Sequence, residues 1–569
     1  MIRLTTFTKT TFVHIFIIIL FPVILLTINN KWIYANSFYL FIDPWIYLGY
    51  FLDFTAHINA FKDNFYTNYF GTRFPWIIPG TVAYKIFSPL TANYVLHLTF
   101  LYTALFSFYF IVKHTLGKNT ALFTTVLFGL YSYFLYSIGW DYVDGAEITY
   151  FLLTVLSMVY FKKTNGSPFW AVLCGFAYAL LIYTHMYMIL YTIFLLLFFL
   201  YERKLSQSNV FFTKLITYAG ITFLFVTVMF CLFNYYVSGK ILFFLPQLNV
   251  ATDLTLNEHR WKIPFNTWFY NTGHLVFPLI VLFTNLLLLI YSFVKKKLLN
   301  NSILLQLLYV LSFIMGTVFE IFNKPVLQQE FYASNLMPLM FLSVSTWFYP
   351  FLEKLELNEL FVLAICAVTI LVIPFGLFSY TWFSLPIKKY FYYYLVLLAV
   401  IGSILFFFIS GNKRYIPFML LFCMSYSIIN YKTAFTEVFQ NSNNVKREDA
   451  HVAIVGAIRY LKEINPDCSL LFWYNLETDP MGRLFRAINA SYMWRYRYLG
   501  TEFPKIKDTP QPLNSANIVF LSSKDDDYKT AINALNALNY KAKLISVKHI
   551  ENGKVSFNIY FITKDTMQH

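Results

Sequence analysis

Residues 41–80 read FIDPWIYLGYFLDFTAHINAFKDNFYTNYFGTRFPWIIPG. The stretch is aromatic almost throughout, yet too polar and too interrupted to span a bilayer. It places Asp43, Asp53, His57, Asp63 and Arg73 between a first apolar run and a long series of others, in a chain that is only 12% charged. Read as the first outer loop of a multi-spanning membrane enzyme, it makes Asp43 the most consequential side chain.

The totals agree with a membrane reading. The chain has 569 residues, 58% of them hydrophobic, whereas a soluble protein carries roughly a quarter of its residues as charges. With lipid as solvent, apolar runs of about 20 residues must be helices, because every backbone polar group needs an internal partner. The 65 Phe suit lipid contact and the 45 Tyr suit the two interfaces. A net charge of +15 would suggest nucleic acid in a soluble protein; here it is read as topology, with no nucleic-acid partner. The five Cys show no metal-site spacing and four sit in apolar runs, so no disulfide framework is expected. The N-terminal apolar run lacks a small-residue cleavage site and reads as a retained signal anchor.

About thirteen spans are expected, near 12–28, 91–112, 120–138, 146–161, 169–183, 186–201, 215–234, 276–294, 302–320, 331–350, 360–380, 391–410 and 415–431. Thr184 and His185 suit a tight turn splitting 169–201. With the N-terminus inside, the inner loops collect Lys113, Lys118, Lys162, Lys163, Arg203, Lys204, Lys295 to Lys297, Lys413 and Arg414. Glu353 and Glu356 are the exception on that side. The outer side collects Asp43, Asp53, Asp63, Asp141, Asp144, Asp253, Glu258 and Glu330. The fold class is therefore an all-α polytopic membrane domain over 1–431 with long outer loops at 29–90 and 235–275, a linker at 432–449, and an outer α/β domain over 450–569. In the last, helices are expected at 450–463, 480–488 and 526–538, strands at SLLFWY (469–474) and ANIVFLSS (516–523), and an antiparallel pair from KAKLISVKHI (541–550) and KVSFNIYFI (554–562).

Five constellations carry candidate chemistry, each with a purely structural alternative. Asp43 before Pro44 reads either as a helix N-cap or as a general base or metal ligand that activates an acceptor hydroxyl, with Tyr47 one turn on. Arg73 in FGTRFPWIIPG is a snorkelling cation or a fork for a lipid phosphate. In GWDYVDGAE, Asp141, Asp144 and Glu147 are either a helix start enriched in acids or ligands for a cation or sugar hydroxyls, with Asp43 and Asp141 as candidate divalent-metal ligands. In NKPVLQQEFYASNLMP, Lys324, Glu330 and Tyr332 form a solvated helix start or a sugar and phosphate contact. In NEHRWK, His259, Arg260 and Lys262 meet lipid headgroups or a diphosphate. Asp53, His57 and Asp63 read as the polar face of an interfacial helix. No GxxxxGK[ST], GxGxxG, HExxH or GxSxG motif occurs, and the spans hold few charges and no repeated half, which counts against a secondary transporter.

Together these features resemble the GT-C glycosyltransferases that use polyprenyl-linked sugar donors, in particular the groups of the protein O-mannosyltransferases and the lipid A aminoarabinose transferases. The shared features are the acidic FIDPWIYLGY after one span, the Pro-rich FPWIIPG leading to YKIFSPL, the short acidic loop GWDYVDGAE, the late EFYASNLMPLM and an outer C-terminal domain. The resemblance implies a donor sliding in from the bilayer, Asp43 deprotonating the acceptor alone or through a divalent metal, and inversion at the anomeric carbon. It also implies Arg73, with Lys324, Arg260 or Lys262, at the leaving phosphate, and Asp141 or Asp144 orienting acceptor or metal. The low Cys content and the many Lys, Asn, Phe and Tyr suit a bacterial inner membrane, with the endoplasmic reticulum as the alternative; the resemblance implies a lipid, glycan or protein acceptor. A polysaccharide flippase, polymerase or ligase is the alternative; a non-catalytic scaffold leaves the acids of two outer loops without a role.

Overall fold

The computed structural model describes residues 9–28, 42–61, 69–140, 142–206, 209–256, 273–322, 327, 330–354, 447–465, 470–492, 498–506 and 517–564. The chain is mostly helical. Helices α1 (Lys9–Ile28), α2 (Asp43–Leu52), α3 (Phe54–Phe61), α4 (Phe74–Ile86), α5 (Pro89–Thr115), α6 (Lys118–Leu130), α7 (Ser132–Gly139), α8 (Asp144–Lys163) and α9 (Pro168–Thr184) come first. A 3-10 helix over Met186–Tyr191 follows, then α10 (Thr192–Ser206), α11 (Asn209–Ser238), α12 (Leu245–Leu256), α13 (Val276–Val294), α14 (Asn301–Ile321), a helical turn at Glu330–Ala333 and α15 (Met337–Leu352). The helices overlie the expected spans from 12–28 to 331–350; the expected spans 360–380, 391–410 and 415–431 lie outside the described residues.

Among the described residues, four helices are long and apolar enough to cross a membrane: Pro89–Thr115, Phe212–Ser238, Val276–Val294 and Asn301–Ile321. The pair α6 and α7 would make a fifth, bent by 63° at Tyr131. The apolar character continues on the outside: Ile221, Leu224, Phe225 and Leu232 of α11 and Ile290 and Phe293 of α13 are exposed. A water-soluble surface does not carry apolar side chains in such density, whereas an acyl-chain surface does. Where helices meet, small residues let them approach. A Cβ on Gly175 of α9 would come within 2.2 Å of the Ala219 carbonyl oxygen of α11.

The two ends of the bundle differ in charge. At one end, Lys163 Nζ lies 3.1 Å from His114 Nε2, Lys113 Nζ donates to Thr11, and Asn301 donates to the Thr115 carbonyl at the end of α5. Glu353, the acid out of place on this basic side, has a structural task. Its Oε1 accepts the backbone N–H groups of Asn119 and Thr120 at 3.0 and 2.9 Å, and the Thr120 hydroxyl. It thus satisfies the first turn of α6, whose own N-cap is Gly117, and meets the positive end of that helix. The other end carries α2, α3, the first turn of α8 and the C-terminal sheet unit.

That unit comprises α16 (Arg447–Ile464), α17 (Gly482–Tyr492), α18 (Asp527–Ala537) and strands β1 (Leu471–Trp473), β2 (Tyr498–Gly500), β3 (Ile518–Ser522), β4 (Ala542–Asn552) and β5 (Val555–Lys564). The sheet order is β2-β1-β3-β5-β4, with β1 parallel to β2 and β3, and β5 antiparallel to β3 and β4. The expected helices, β1, β3 and the antiparallel pair fall where the periodicity puts them; β2, three residues long, was not expected from the pattern. Helix α16 begins at Arg447, inside the stretch expected to be a linker.

Asp53 and His57 do not form the polar face of an interfacial helix. His57 is buried, with Nε2 3.0 Å from the Ser491 carbonyl oxygen of α17, and Asp53 meets Lys462 of α16 at 3.1 Å. Tyr84 of α4 and His451 Nε2 of α16 are 2.9 Å apart. The segments α2, α3 and α4 are therefore the seat of the C-terminal unit. Asp63 lies outside the described residues.

Candidate active site

Asp43 is the first residue of α2, followed by Pro44 at a position where its missing N–H costs nothing. Ile42 stands at the N-cap and no side chain caps the helix, so capping does not account for Asp43. Its carboxylate lies within electrostatic reach of the Tyr47, Tyr142 and Tyr332 hydroxyls, which come from three separate segments.

Arg73 sits just before α4, whose first turn carries Pro75. Its side chain is 0% exposed. Nη1 donates to the Tyr47 hydroxyl at 2.7 Å and Nη2 to the Tyr69 hydroxyl, and the Tyr142 phenol stands beside the guanidinium. The guanidinium carbon stands 4.2 Å from the centre of the Tyr69 ring and 5.5 Å from that of Tyr142. Burial pushes the Tyr47 and Tyr142 phenols above their ordinary range, so both stay neutral beside the cation. Among the described residues no carboxylate forms an ion pair with Arg73, and its Nε has no acceptor. A buried guanidinium held by neutral phenols, with an unused N–H, has the chemistry to hold an anion.

The start of α8 brings acids to the same place. Asp144 Oδ2 accepts the Trp140 indole N–H at 3.0 Å, and Asp144 is buried. Glu147 is 0% exposed, and its Oε1 lies 2.9 Å from His185 Nδ1, at the end of α9. This contact lies off the line of a hydrogen bond, and among the described residues neither Glu147 oxygen accepts one. The His185 ring stacks on Tyr332 with centroids 5.8 Å apart and an interplanar angle of 21°. Tyr332 in turn feels Arg73, Asp144, Asp43 and Glu147.

The structure thus gathers Asp43, Tyr47, Arg73, Asp144, Glu147 and Tyr332. Asp141, His259, Arg260, Lys262 and Lys324 lie outside the described residues, as does the side chain of Glu330, which opens the helical turn before α15. Tyr69, Tyr142 and His185 belong to the site but were not singled out in the sequence as ligands. A lone His interrupting the apolar run 168–201 was the available signal for His185. For the two tyrosines there was none, since 45 Tyr are spread over the chain. Further polar atoms buried without a partner among the described residues include Trp76 Nε1, Tyr187 Oη, Gln247 Oε1 and the Asn335 amide. Such groups cost free energy unless a ligand or water meets them. No three His, Cys, Asp or Glu converge to hold a metal among the described residues; the pair Asp43 and Asp141 would need the second of these, which is not described.

The fold and site define a helical membrane protein with a buried polar cluster near its C-terminal sheet unit. No family model matches the chain, and no curated protein matches it. Among solved structures, it is similar to ArnT from Cupriavidus metallidurans in the apo state, with a TM-score of 0.45, 11% identity, and coverage of 96% of this chain and 97% of that one. The structure of the same protein bound to undecaprenyl phosphate overlaps with a TM-score of 0.44 at 11% identity, covering 97% and 98%. At that identity and score the overlap is too loose to carry an activity across.

Proposed function

We propose that the chain is an integral membrane glycosyltransferase that moves a sugar from a polyprenyl-phosphate donor to a lipid, glycan or protein acceptor on the outer face. The observation that carries this reading is Arg73: a fully buried guanidinium, held by tyrosines, unpaired with any described carboxylate, and acting with Asp43, Asp144 and Glu147 on the same neighbour, Tyr332. An anion-binding cation beside proton-accepting carboxylates is the pairing that transfer from a phosphate leaving group needs.

In this mechanism Asp43 takes the acceptor's hydroxyl or amine proton as the acceptor attacks the anomeric carbon, and the bond from that carbon to the phosphate oxygen breaks. Configuration inverts. The lipid phosphate departs with the bonding electrons, and Arg73 opposes the charge that builds there. Asp144 and Glu147 orient sugar or acceptor hydroxyls, with Tyr47 and Tyr332 as walls and hydrogen-bond donors. Lys324, His259, Arg260 and Glu330 would complete the phosphate and sugar contacts, and Asp141 would help Asp43 orient the acceptor. A divalent metal, if one binds, would be held by Asp43 and Asp141 and would supply Lewis acidity toward the acceptor oxygen. The basic end of the bundle faces the cytoplasm, so the N-terminus is inside and the C-terminal unit (450–569) is extracytoplasmic, in a bacterial inner membrane.

The rival reading is a flippase, polymerase or ligase of surface polysaccharide. Mass analysis of surface glycolipids from cells with and without the protein separates the two. Absence of one sugar unit supports transfer; loss or shortening of whole chains supports export or polymerisation.

A further inference from the structure

We propose that Gln247, on α12 in the outer loop 235–275, is a positioning residue for Arg73: it holds the backbone from which the guanidinium reaches the lipid phosphate. This rests on the phosphate role given to Arg73 above. The starting point is the backbone at Arg73. The residue stands just before α4 with φ −83° and ψ 60°, in neither helical nor extended geometry, so α4 alone does not set the peptide that precedes it. The peptide between Thr72 and Arg73 is held at its two ends instead. The Arg73 N–H donates to the Phe70 carbonyl at 3.3 Å, and the Thr72 carbonyl accepts from Gln247 Nε2 at 3.3 Å. Gln247 is 1% exposed, and the same Nε2 lies 3.5 Å from the Thr72 hydroxyl and 3.3 Å from the Tyr183 carbonyl oxygen in the last turn of α9. One amide thus ties the residue before Arg73 to the end of α9. Its other end, Oε1, is buried without a donor among the described residues, a cost that an apolar side chain of the same length would not carry. The contribution of the amide therefore lies at Nε2.

The residue after Arg73 is gripped by the same segment. Phe243 stacks on Phe74 with centroids 5.2 Å apart and an interplanar angle of 26°, and meets the Tyr183 ring edge-on at 4.8 Å. Residues 243–247 therefore meet both chain neighbours of Arg73 and the end of α9 at once. Their own footing is hydrogen-bonded. Asn234 of α11, 2% exposed, donates to the Lys240 carbonyl at 2.7 Å, and the Phe243 N–H donates to the Ile241 carbonyl at 3.0 Å. Contacts thus run from α11 through Phe243 and Gln247 to the Arg73 backbone, and from the Arg73 guanidinium to Tyr47 of α2. The tyrosines hold the tip of the side chain; Gln247 and Phe243 hold its root. A guanidinium donates to a phosphate as a planar fork, so a backbone displaced at the root turns the fork away from its acceptors. A lysine ammonium is a point charge on a flexible stem and depends far less on where its backbone lies. That difference separates a positioning role from a structural one.

The test is equilibrium binding of a 55-carbon polyprenyl phosphate to the full-length protein in nanodiscs. Gln247→Met, an apolar side chain of like length that cannot donate, is made in the wild-type and in the Arg73→Lys background. In the wild-type background it is expected to weaken binding roughly three- to tenfold, the scale of one or two neutral hydrogen bonds. In the Arg73→Lys background the same change is expected to weaken binding by less than about twofold, because the fork that Gln247 aims is gone. A merely structural role would reduce affinity by the same factor in both backgrounds, and melting temperature, followed in parallel, should fall alike in both. Phe243→Leu removes the stack on Phe74; its effect on affinity should also vanish beside Arg73→Lys, and it serves if Gln247→Met does not fold. Wild-type affinity in Gln247→Met, or an equal loss in the two backgrounds, would overturn the inference and leave the transferase reading intact. Failure of wild type to bind polyprenyl phosphate would overturn both.

Discussion

Arg73 Nη1 donates to the Tyr47 hydroxyl at 2.7 Å, joining the start of α4 to α2 across 26 residues. The bond ties the guanidinium to α2, and its Nε has no acceptor among the described residues. Arg73→Lys keeps the charge and loses the fork. We expect it to reduce polyprenyl-phosphate affinity by tenfold or more, about 1.4 kcal/mol, measured by binding in nanodiscs, with little change in thermal stability relative to Arg73→Ala.

Gly49 of α2 is a second point where the fold is tight. A Cβ there would lie 2.3 Å from the Ser491 backbone oxygen and 2.5 Å from His57 Nε2. Backbone cannot step aside as a flexible side chain can, so Gly49→Ala should loosen the C-terminal unit. Limited proteolysis is expected to release a fragment beginning near the stretch 432–449 from this variant and not from wild type. Lys462→Ala should do much less, costing about 0.2–1 kcal/mol, because its partner Asp53 is 37% exposed and solvent screens the pair.

Acid should loosen the same contact. Burial, then the Lys462 charge, lowers His57 to about 3, and burial lowers His451 to about 4. Burial pushes Asp53 up, but Lys462 and the Ala56 N–H hold it below its ordinary value. All three folded values lie below their unfolded ones, so the unfolded or undocked state takes up more protons on acidification. The stabilisation is complete above pH of about 6.5, the ordinary histidine value, and is lost progressively as pH falls toward 3. Proteolytic release of the C-terminal unit should therefore rise between pH 6.5 and 4, and His57→Gln should flatten part of that rise.

At the other end of the bundle, Glu353→Ala leaves the first turn of α6 without its acceptor. The expected cost is about 0.5–2 kcal/mol of stability, read as a lower melting temperature, with polyprenyl-phosphate binding unchanged. A loss of binding would mean that this end communicates with the Arg73 cluster.

Much of this was legible in the sequence because lipid imposes simple rules. Long apolar runs had to be helices, and the expected segment 276–294 coincides with α13. The split at His185 followed from the length of 169–201, which exceeds a single crossing. The C-terminal strands followed from period-two patterning, except β2, which is too short to show a period. Asp43, Arg73, Asp144 and Glu147 were legible as charges out of place in an apolar chain. What pairs with them was not. The Arg73–Tyr47 bond, the Glu147–His185 contact and the docking of His57 on Ser491 join residues far apart in the chain, and no local pattern encodes such partners. His57 shows the consequence: its position suited a polar helix face, and the structure buries it under α17 instead.

The central claim is that Asp43 activates the acceptor for transfer from a polyprenyl-phosphate sugar. The most direct measurement is sugar transfer by purified wild type and Asp43→Asn in proteoliposomes carrying a polyprenyl-phosphate-linked donor, with donor binding followed in parallel. The account predicts that Asp43→Asn inserts and binds donor like wild type but transfers at least about 100-fold more slowly, the usual contribution of a general base. Transfer by Asp43→Asn at the wild-type rate would contradict it.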